Sequence, residues 1–405
     1  MKDIFAPLSD RAASKPRDDY AVHFLQELFE TCLKLEITDL HFVPRRDELI
    51  IKVRKNGELY PVSFLEKERE ALITGRLKVL AHLPQYERNQ VQDGRIRFEY
   101  EGLPVDLRVA FLPTLHGEKT AVRFPGKKQL LTLDELGLFE DDYKILEHWA
   151  LSSEGMLLFS GPANSGKTTS MYAVLQHLYQ YHGEKLNIFT LEDPVEYDMP
   201  SFNQCQVRED RGFTYYEGLK SILRQDPDVI MLGEVRDAST SYAAFQAALS
   251  GHFLLATFHG QSPAAVLFRL MNLGIDPLLI SSVLKGIVHQ RLVRRPCPHC
   301  RQAEPITQDT AGQLAAGQHY TADGCEHCLY TGIASRRALF QVVPLEEELK
   351  SMFLKKDDFN KMQHFVQEQY LSGWNEKILS LVENGGIFLN DALLLLTASK
   401  SRGSS

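Results

Sequence analysis

The sequence predicts an α/β protein built in parts: an α+β domain, a parallel-sheet domain with a phosphate loop, a small four-cysteine module and a run of helices. Three observations predict it. Short apolar runs alternate with helical patterns between residues 141 and 295. The octapeptide Gly161-Pro162-Ala163-Asn164-Ser165-Gly166-Lys167-Thr168 lies between one such run and one such helix. Two C-x-x-C pairs follow it. Of 405 residues 44% are hydrophobic and 24% charged, which excludes wholesale disorder, and the length suits about two or three cores. No apolar run approaches the ~18–20 residues of a membrane span. The first nineteen residues lack an apolar h-region, which argues against secretion. A net charge of -8 argues against general nucleic-acid binding.

Taken in order, residues 1–19 are polar and irregular and read as a loose arm. Val22, Leu25, Leu28, Phe29, Cys32 and Leu33 recur at helical spacing. Leu49–Arg54 and Glu58–Val62 alternate around Asn56-Gly57, a hairpin signal. Ile96–Tyr100 and Pro104–Phe111 read as a second hairpin, and Thr120–Phe124 as a further strand. Residues 20–126 are therefore one α+β domain, and 127–140 a linker. From 141 to 295, strands are expected at Met156–Ser160, Asn187–Leu191, Val229–Leu232 and Phe253–Phe258, with a helix over Thr168–Tyr181. Residues 296–345 hold the cysteines. Helices fill 346–405 up to a fraying tail.

The octapeptide fits G-x-x-x-x-G-K-[ST] between a strand and a helix. Its glycines let backbone N–H groups curl around phosphates, and the helix N-terminus adds positive potential. Gly161, Pro162, Ala163, Asn164, Ser165, Gly166, Lys167, Thr168 and Thr169 are the nucleotide-binding candidates, with Lys167 reaching the β- and γ-phosphates and Thr168 holding Mg²⁺. Such a loop needs carboxylates at neighbouring strand ends. Glu234 follows Val229–Leu232 and Gly233, so it takes the water-polarising role. Glu192, after Ile188–Leu191, is next for the metal shell. His252 and His259 flank Phe253–Phe258, and His259 is the candidate γ-phosphate sensor.

Leu223–Asp237, reading LRQDPDVIMLGEVRD, closely resembles the signature of the secretion ATPase superfamily: the hexameric motors of type II secretion, type IV pilus assembly and DNA-uptake pseudopili. Ile188–Glu196 is similar to its Asp box and Ser250–His259 to its His box. Thr38-Asp39-Leu40-His41, Gln92–Arg95 and Leu107–Lys119 continue the likeness, which covers residues 20–345. The resemblance implies a PAS-like first domain, a RecA-like motor domain, ATP hydrolysis in a homo-oligomeric ring and an inner-membrane platform protein as partner. It places the chain on the cytoplasmic face of the cell membrane. It also implies arginine fingers, with Arg95, Arg108 and Arg123 at the matching positions. Three departures stand out. Ala163-Asn164 replaces the usual Thr-Gly, position 260 is glycine, and only about twenty residues precede the first domain. The short form looks most like the competence ATPase of Gram-positive bacteria.

Cys297-x-x-Cys300 and Cys325-x-x-Cys328 match a structural Cys₄ zinc site. The family's assembly motors commonly carry such a module and its retraction motors generally lack it, which favours fibre extension. Alternatives of other classes are a nucleic-acid translocase with a zinc ribbon and a nucleotide-gated scaffold with little turnover. The fold does not separate them, but the acidic balance and the fifteen-residue signature favour the motor, with no direct nucleic-acid contact.

Overall fold

Period-two alternation builds the first of two principal sheets. In the computed structural model, which describes residues 1–13, 19–125, 130–306, 317–355, 358–370 and 373–400, the chain divides into two units. These are residues 1–129 with 324–331, and 130–323 with 332–405. The first begins with α1 (Lys2–Ala13) and α2 (Tyr20–Lys34). Then come β1 (Asp39–Pro44), β2 (Glu48–Lys55), β3 (Glu58–Glu66), α3 (Arg69–Leu80), β4 (Gln92–Tyr100), β5 (Leu103–Thr114) and β6 (Gly117–Arg123). The six strands pair antiparallel in the order β3-β2-β1-β6-β5-β4. Leu40, Phe42, Ile51, Val53, Leu107, Val109, Phe111 and Val122 are buried on one face, in one core with α2 and α3. Each such side chain contributes about 1.5–3 kcal/mol. The hairpins close on Asn56-Gly57 and Glu101-Gly102, all four at positive φ. This is the PAS-like α+β unit.

One feature of this unit differs from expectation. Residues 2–13 are a helix, not a loose arm. Met1, Phe5 and Leu8 are buried in the first core, and Arg11 pairs with Glu27 of α2 at 3.0 Å. The short stripe is interrupted by Pro7, so its periodicity is weak. Residues 14–18 lie outside the described residues. Of the T-D-L-H stretch, Asp39, Leu40 and His41 open β1, a strand at the middle of the sheet.

The second unit alternates strands with α4 (Glu140–Ala150), α5 (Lys167–His182), α6 (Tyr215–Ile222), α7 (Ala238–Leu249), α8 (Pro263–Asn272) and α9 (Pro277–Val283). Its strands are β7 (Gly155–Ser160), β8 (Ile188–Glu192), β9 (Asn203–Gln206), β10 (Val229–Leu232), β11 (Phe253–Phe258) and β12 (Leu284–Pro296). β13 (Arg301–Pro305) and β14 (Gln318–Ala322) form a separate two-stranded ladder, and β15 (Ile333–Pro344) returns to the main sheet. The order is β15-β12-β7-β11-β10-β8-β9, parallel except for β15. Continuous apolar runs such as Phe253–Phe258 are buried because both faces are covered. One core joins α4 and α5 to the sheet, the other α6–α9. This is the RecA-like unit.

Two boundaries shift. Residues 127–129 of the expected linker lie outside the described residues, but Leu133 and Leu136 are buried in the core beside Trp149. Residues 333–344, assigned to the cysteine module from sequence, are strand β15, paired along β12 from Gly286↔Pro344 to Pro296↔Ile333. The C-terminal helices are α10 (Glu347–Leu354), α11 (Phe359–Tyr370), α12 (Trp374–Glu383) and α13 (Leu389–Lys400). α10 and α11 complete the second unit's core through Leu349, Phe353, Met362 and Val366. α12 and α13 pack on Val293 and Leu339.

Candidate active site

Parallel strands end on one edge, and ligands of open α/β sheets bind beyond the carboxyl ends. Ser160, Phe258, Leu232 and Glu192 end β7, β11, β10 and β8 near one another along the sheet edge. The phosphate loop, His259, Glu234 and Glu192 leave from that edge.

The loop is shaped by its backbone. Gly161 has φ 141° and Gly166 φ 88°. A Cβ on Gly161 would lie 2.2 Å from the Gln290 carbonyl oxygen, so only glycine fits against β12. Gln290 also donates Nε2–H to Ser165 O at 2.7 Å, tying the loop to that strand. Asn164 stands at φ 59°, a left-handed conformation that asparagine tolerates best after glycine. That accounts for asparagine where the resemblance expects glycine. Lys167 Nζ donates to Gly161 O (3.1 Å) and Pro162 O (2.9 Å). Burial lowers the lysine's pKa, and Glu234 opposes the shift. Thr168 and Thr169 are half-buried in the first turn of α5. The buried, unpartnered Ser165 Oγ and the loop's curvature suit a polyphosphate.

Glu234 is clamped from two sides. His259 Nε2 lies 2.7 Å from Oε1, and Arg236 donates to Oε2 at 2.5 Å. Hydrogen bonding to Arg236 holds the carboxyl below its ordinary range; burial opposes this and His259 assists. The turn is pinned by Thr257, whose hydroxyl donates to Gly233 O at 2.5 Å. A Cβ on Gly233 would lie 3.0 Å from Tyr215 Oη and 3.2 Å from Leu191 O, closer than ordinary contact. Gly260, the other departure, leaves room for Val266, whose Cγ2 would be 2.4 Å from an added Cβ. His252 is structural: its Nδ1 lies 2.8 Å from Ala247 O at the end of α7.

Glu192 is 2% exposed. Its Oε1 accepts from Tyr172 and Thr190, both at 2.7 Å, while Oε2 is buried without a hydrogen-bond partner. An orphaned buried carboxylate oxygen fits a site for a divalent cation.

The three arginines lie on the first unit's sheet, on the face opposite its core. Arg95 is directly across from Arg108, Arg108 from Arg123, and Arg123 from Asp39. All three are exposed. Arg123 pairs with Asp39 at 2.9 Å, whereas Arg95 and Arg108 have no ion-pair partner among the described residues. Like charges directly opposite are unfavourable, which suits a strip facing an anion.

The sulfur atoms of Cys297, Cys300, Cys325 and Cys328 all lie within 4.8 Å of one another. A tetrahedron with Zn–S bonds of about 2.3 Å has edges of about 3.8 Å. Cys325 and Cys328 are 3.9 Å apart, and Cys325 N donates to Cys328 Sγ at 3.1 Å. Four thiols in this arrangement suit zinc.

Sequence reasoning gave no role to Tyr172, Tyr215, Arg236, His289 or Gln290. His289 is buried with Nδ1 2.9 Å from Ser160 Oγ, and burial drops its pKa to about 3. The available signal was polarity at buried positions of β12 and within the apolar face of α5.

Residues 15–394 match the family described as Type II/IV secretion system protein. Type II secretion system protein E of Dickeya dadantii is 35% identical over 349 residues, covering 85% of this chain and 70% of its own. Type IV pilus assembly ATPase TfpB of Acinetobacter baylyi is 33% identical over 375 residues, covering 89% and 63%. The Legionella pneumophila ATPase DotB superposes with a TM-score of 0.68 at 18% identity, over 93% of this chain and 95% of DotB. The pilus retraction motor PilT with bound ADP gives 0.58 at 22% identity, over 91% and 96%. These structural likenesses bear on the fold.

Proposed function

Because this chain belongs to the family of type II/IV secretion system proteins, we propose that it is a ring-forming ATPase driving assembly of a type IV pilus-like fibre. The observation that carries this reading is Glu234, held by Arg236 and His259 at the same sheet edge as a complete phosphate loop. Magnesium-bound ATP, when present, supplies the reacting triphosphate. The loop amides and Lys167 hold its phosphates, and Thr168 and Glu192 its cation. Glu234 accepts a proton from the attacking water. His259 and Arg236 fix the carboxylate's orientation, and Arg236 keeps it ionised. Arg95, Arg108 and Arg123 offset charge developing on phosphate in a hexameric ring. The platform partner is a polytopic membrane protein, and the chain works at the cytoplasmic face of the membrane. Among the described residues no helix is long and apolar enough to cross it. Cys297, Cys300, Cys325 and Cys328 would hold a structural zinc ion.

The finer reading is a DNA-uptake pseudopilus. A type II secretion pseudopilus is the second reading, favoured by the 35% identity to the Dickeya protein. Replacing the chromosomal allele with Glu234→Gln separates them: DNA uptake falls in the first case, exoprotein release in the second. ATPase activity per subunit should rise with protein concentration and vanish in Glu234→Gln. Flat, near-zero activity in folded protein that binds ATP points to a scaffold instead, and salt-dependent DNA affinity to a translocase.

A further inference from the structure

Tyr172 is buried on α5, one turn after Thr168 and on the same face of that helix. Its hydroxyl reaches Glu192 Oε1 at 2.7 Å. The same oxygen receives an N–H from Gln204 Nε2 at 2.8 Å. A phenol has one proton. Since Gln204 donates to the tyrosine oxygen, that proton is committed to the carboxylate. The alternative acceptor, Tyr197 O, is 3.5 Å away. Thr190 gives its own proton to the same Oε1 at 2.7 Å. Two donors therefore occupy one oxygen of Glu192, and the other, Oε2, is buried with no hydrogen-bond partner.

We propose that Tyr172 is a positioning residue for the divalent cation that accompanies the nucleotide. It ties Glu192, at the end of β8, to the helix that starts at the phosphate loop, and it reserves Oε2 for the cation. Thr168, the loop's own cation ligand, lies one turn earlier on the same helix. Glu192 and Thr168 are thereby set by a single rigid element, not by two independent loops. The inference rests on reading this edge as an ATPase centre and adds a residue to that reading.

The test uses the full chain with Tyr172→Phe and a fluorescent ADP analogue, whose affinity is followed as Mg²⁺ is raised. This readout needs no turnover. The expected result is a half-saturating Mg²⁺ concentration raised about tenfold, the scale of one lost hydrogen bond to a charged group. Affinity in EDTA should stay within about twofold, because the loop contacts are untouched. ATPase activity should recover at high Mg²⁺. Glu192→Gln should abolish the Mg²⁺ effect. A Mg²⁺ half-saturation in Tyr172→Phe equal to wild type, with Glu192→Gln still defective, overturns the positioning role and leaves the ATPase reading standing. Wild-type protein that binds no nucleotide overturns both. Should Tyr172→Phe fail to fold, Thr190→Val keeps the ring in place and removes the other donor. An unchanged Mg²⁺ requirement there overturns the argument equally.

Discussion

Replacing Gly161 by alanine asks β12 to move. The new Cβ would sit 2.2 Å from the Gln290 carbonyl oxygen and 2.9 Å from Ser165 Oγ, where ordinary contact begins near 3.4 Å. Backbone on one side must therefore retreat by roughly 1 Å in an otherwise close-packed interface. Overpacking of this kind costs about 1–3 kcal/mol. The φ of 141° adds about 1–2 kcal/mol for a residue with a Cβ. The strain falls on the two anchors of the loop, since Gln290 also holds Ser165 O. If about 2 kcal/mol of it opposes the phosphate-binding conformation, affinity falls about thirtyfold. The assay is equilibrium titration of a fluorescent nucleotide, with Gly212→Ala as the control. Gly212 has φ 75° but no atom within 4 Å of an added Cβ, so it isolates backbone strain from collision. Gly212→Ala should bind nucleotide normally. Gly161→Ala binding within about threefold of wild type refutes the collision argument, because a difference that small is under 1 kcal/mol.

Other expectations concern single groups. Glu234→Gln should lower turnover about 10²–10⁴-fold. Because Arg236 depresses the Glu234 pKa, the ionised base persists above its folded pKa and is lost as pH falls through it. Arg236→Ala should therefore move the acid limb of the pH–rate profile upward. That shift should shrink in salt, since the Arg236 side chain is 66% exposed; an unmoved limb refutes the clamp. Asn164→Val places a β-branched residue at φ 59° and should cost about 1–2 kcal/mol in a denaturation titration, while Asn164→Gly should be near neutral. The purified chain should carry one zinc, lost in Cys297→Ser or Cys328→Ser; zinc-free protein with an unchanged melting temperature under chelator argues against the site. Arg108→Ala should be inactive alone yet regain activity when mixed with Glu234→Gln, if arginine and base act across subunits; absence of complementation argues against trans action.

Local chemistry made much of this legible. Asn56-Gly57 closes a hairpin by its backbone preferences alone, and the continuous run Phe253–Phe258 has no stable place except inside a covered sheet. The strand–loop–helix around Gly161–Thr168 was readable because its geometry is nearly all backbone. What escaped depends on partners far away in sequence. Nothing near Tyr172 announces Glu192, and nothing near residue 333 announces that β15 pairs with β12. The helix at residues 2–13 was hidden because its buried stripe is short and broken by Pro7, so its order comes from tertiary contact. Gly260 looked like a departure from a pattern, but Val266 Cγ2 would lie 2.4 Å from a Cβ added there.

The arginine strip also makes ionic strength a structural variable. Arg95, Arg108 and Arg123 are lateral neighbours on adjacent strands, with Asp39 compensating one end. Mutual repulsion is strongest where the Debye length is long, so this sheet should be least stable in dilute buffer and should firm up as salt is added. That is the opposite of what surface ion pairs do. A denaturation midpoint for the N-terminal unit that climbs with salt, and climbs further with a polyphosphate at matched ionic strength, is the corresponding signature. Low-salt handling would then loosen the sheet that carries these arginines while leaving the phosphate loop and Glu234 in place.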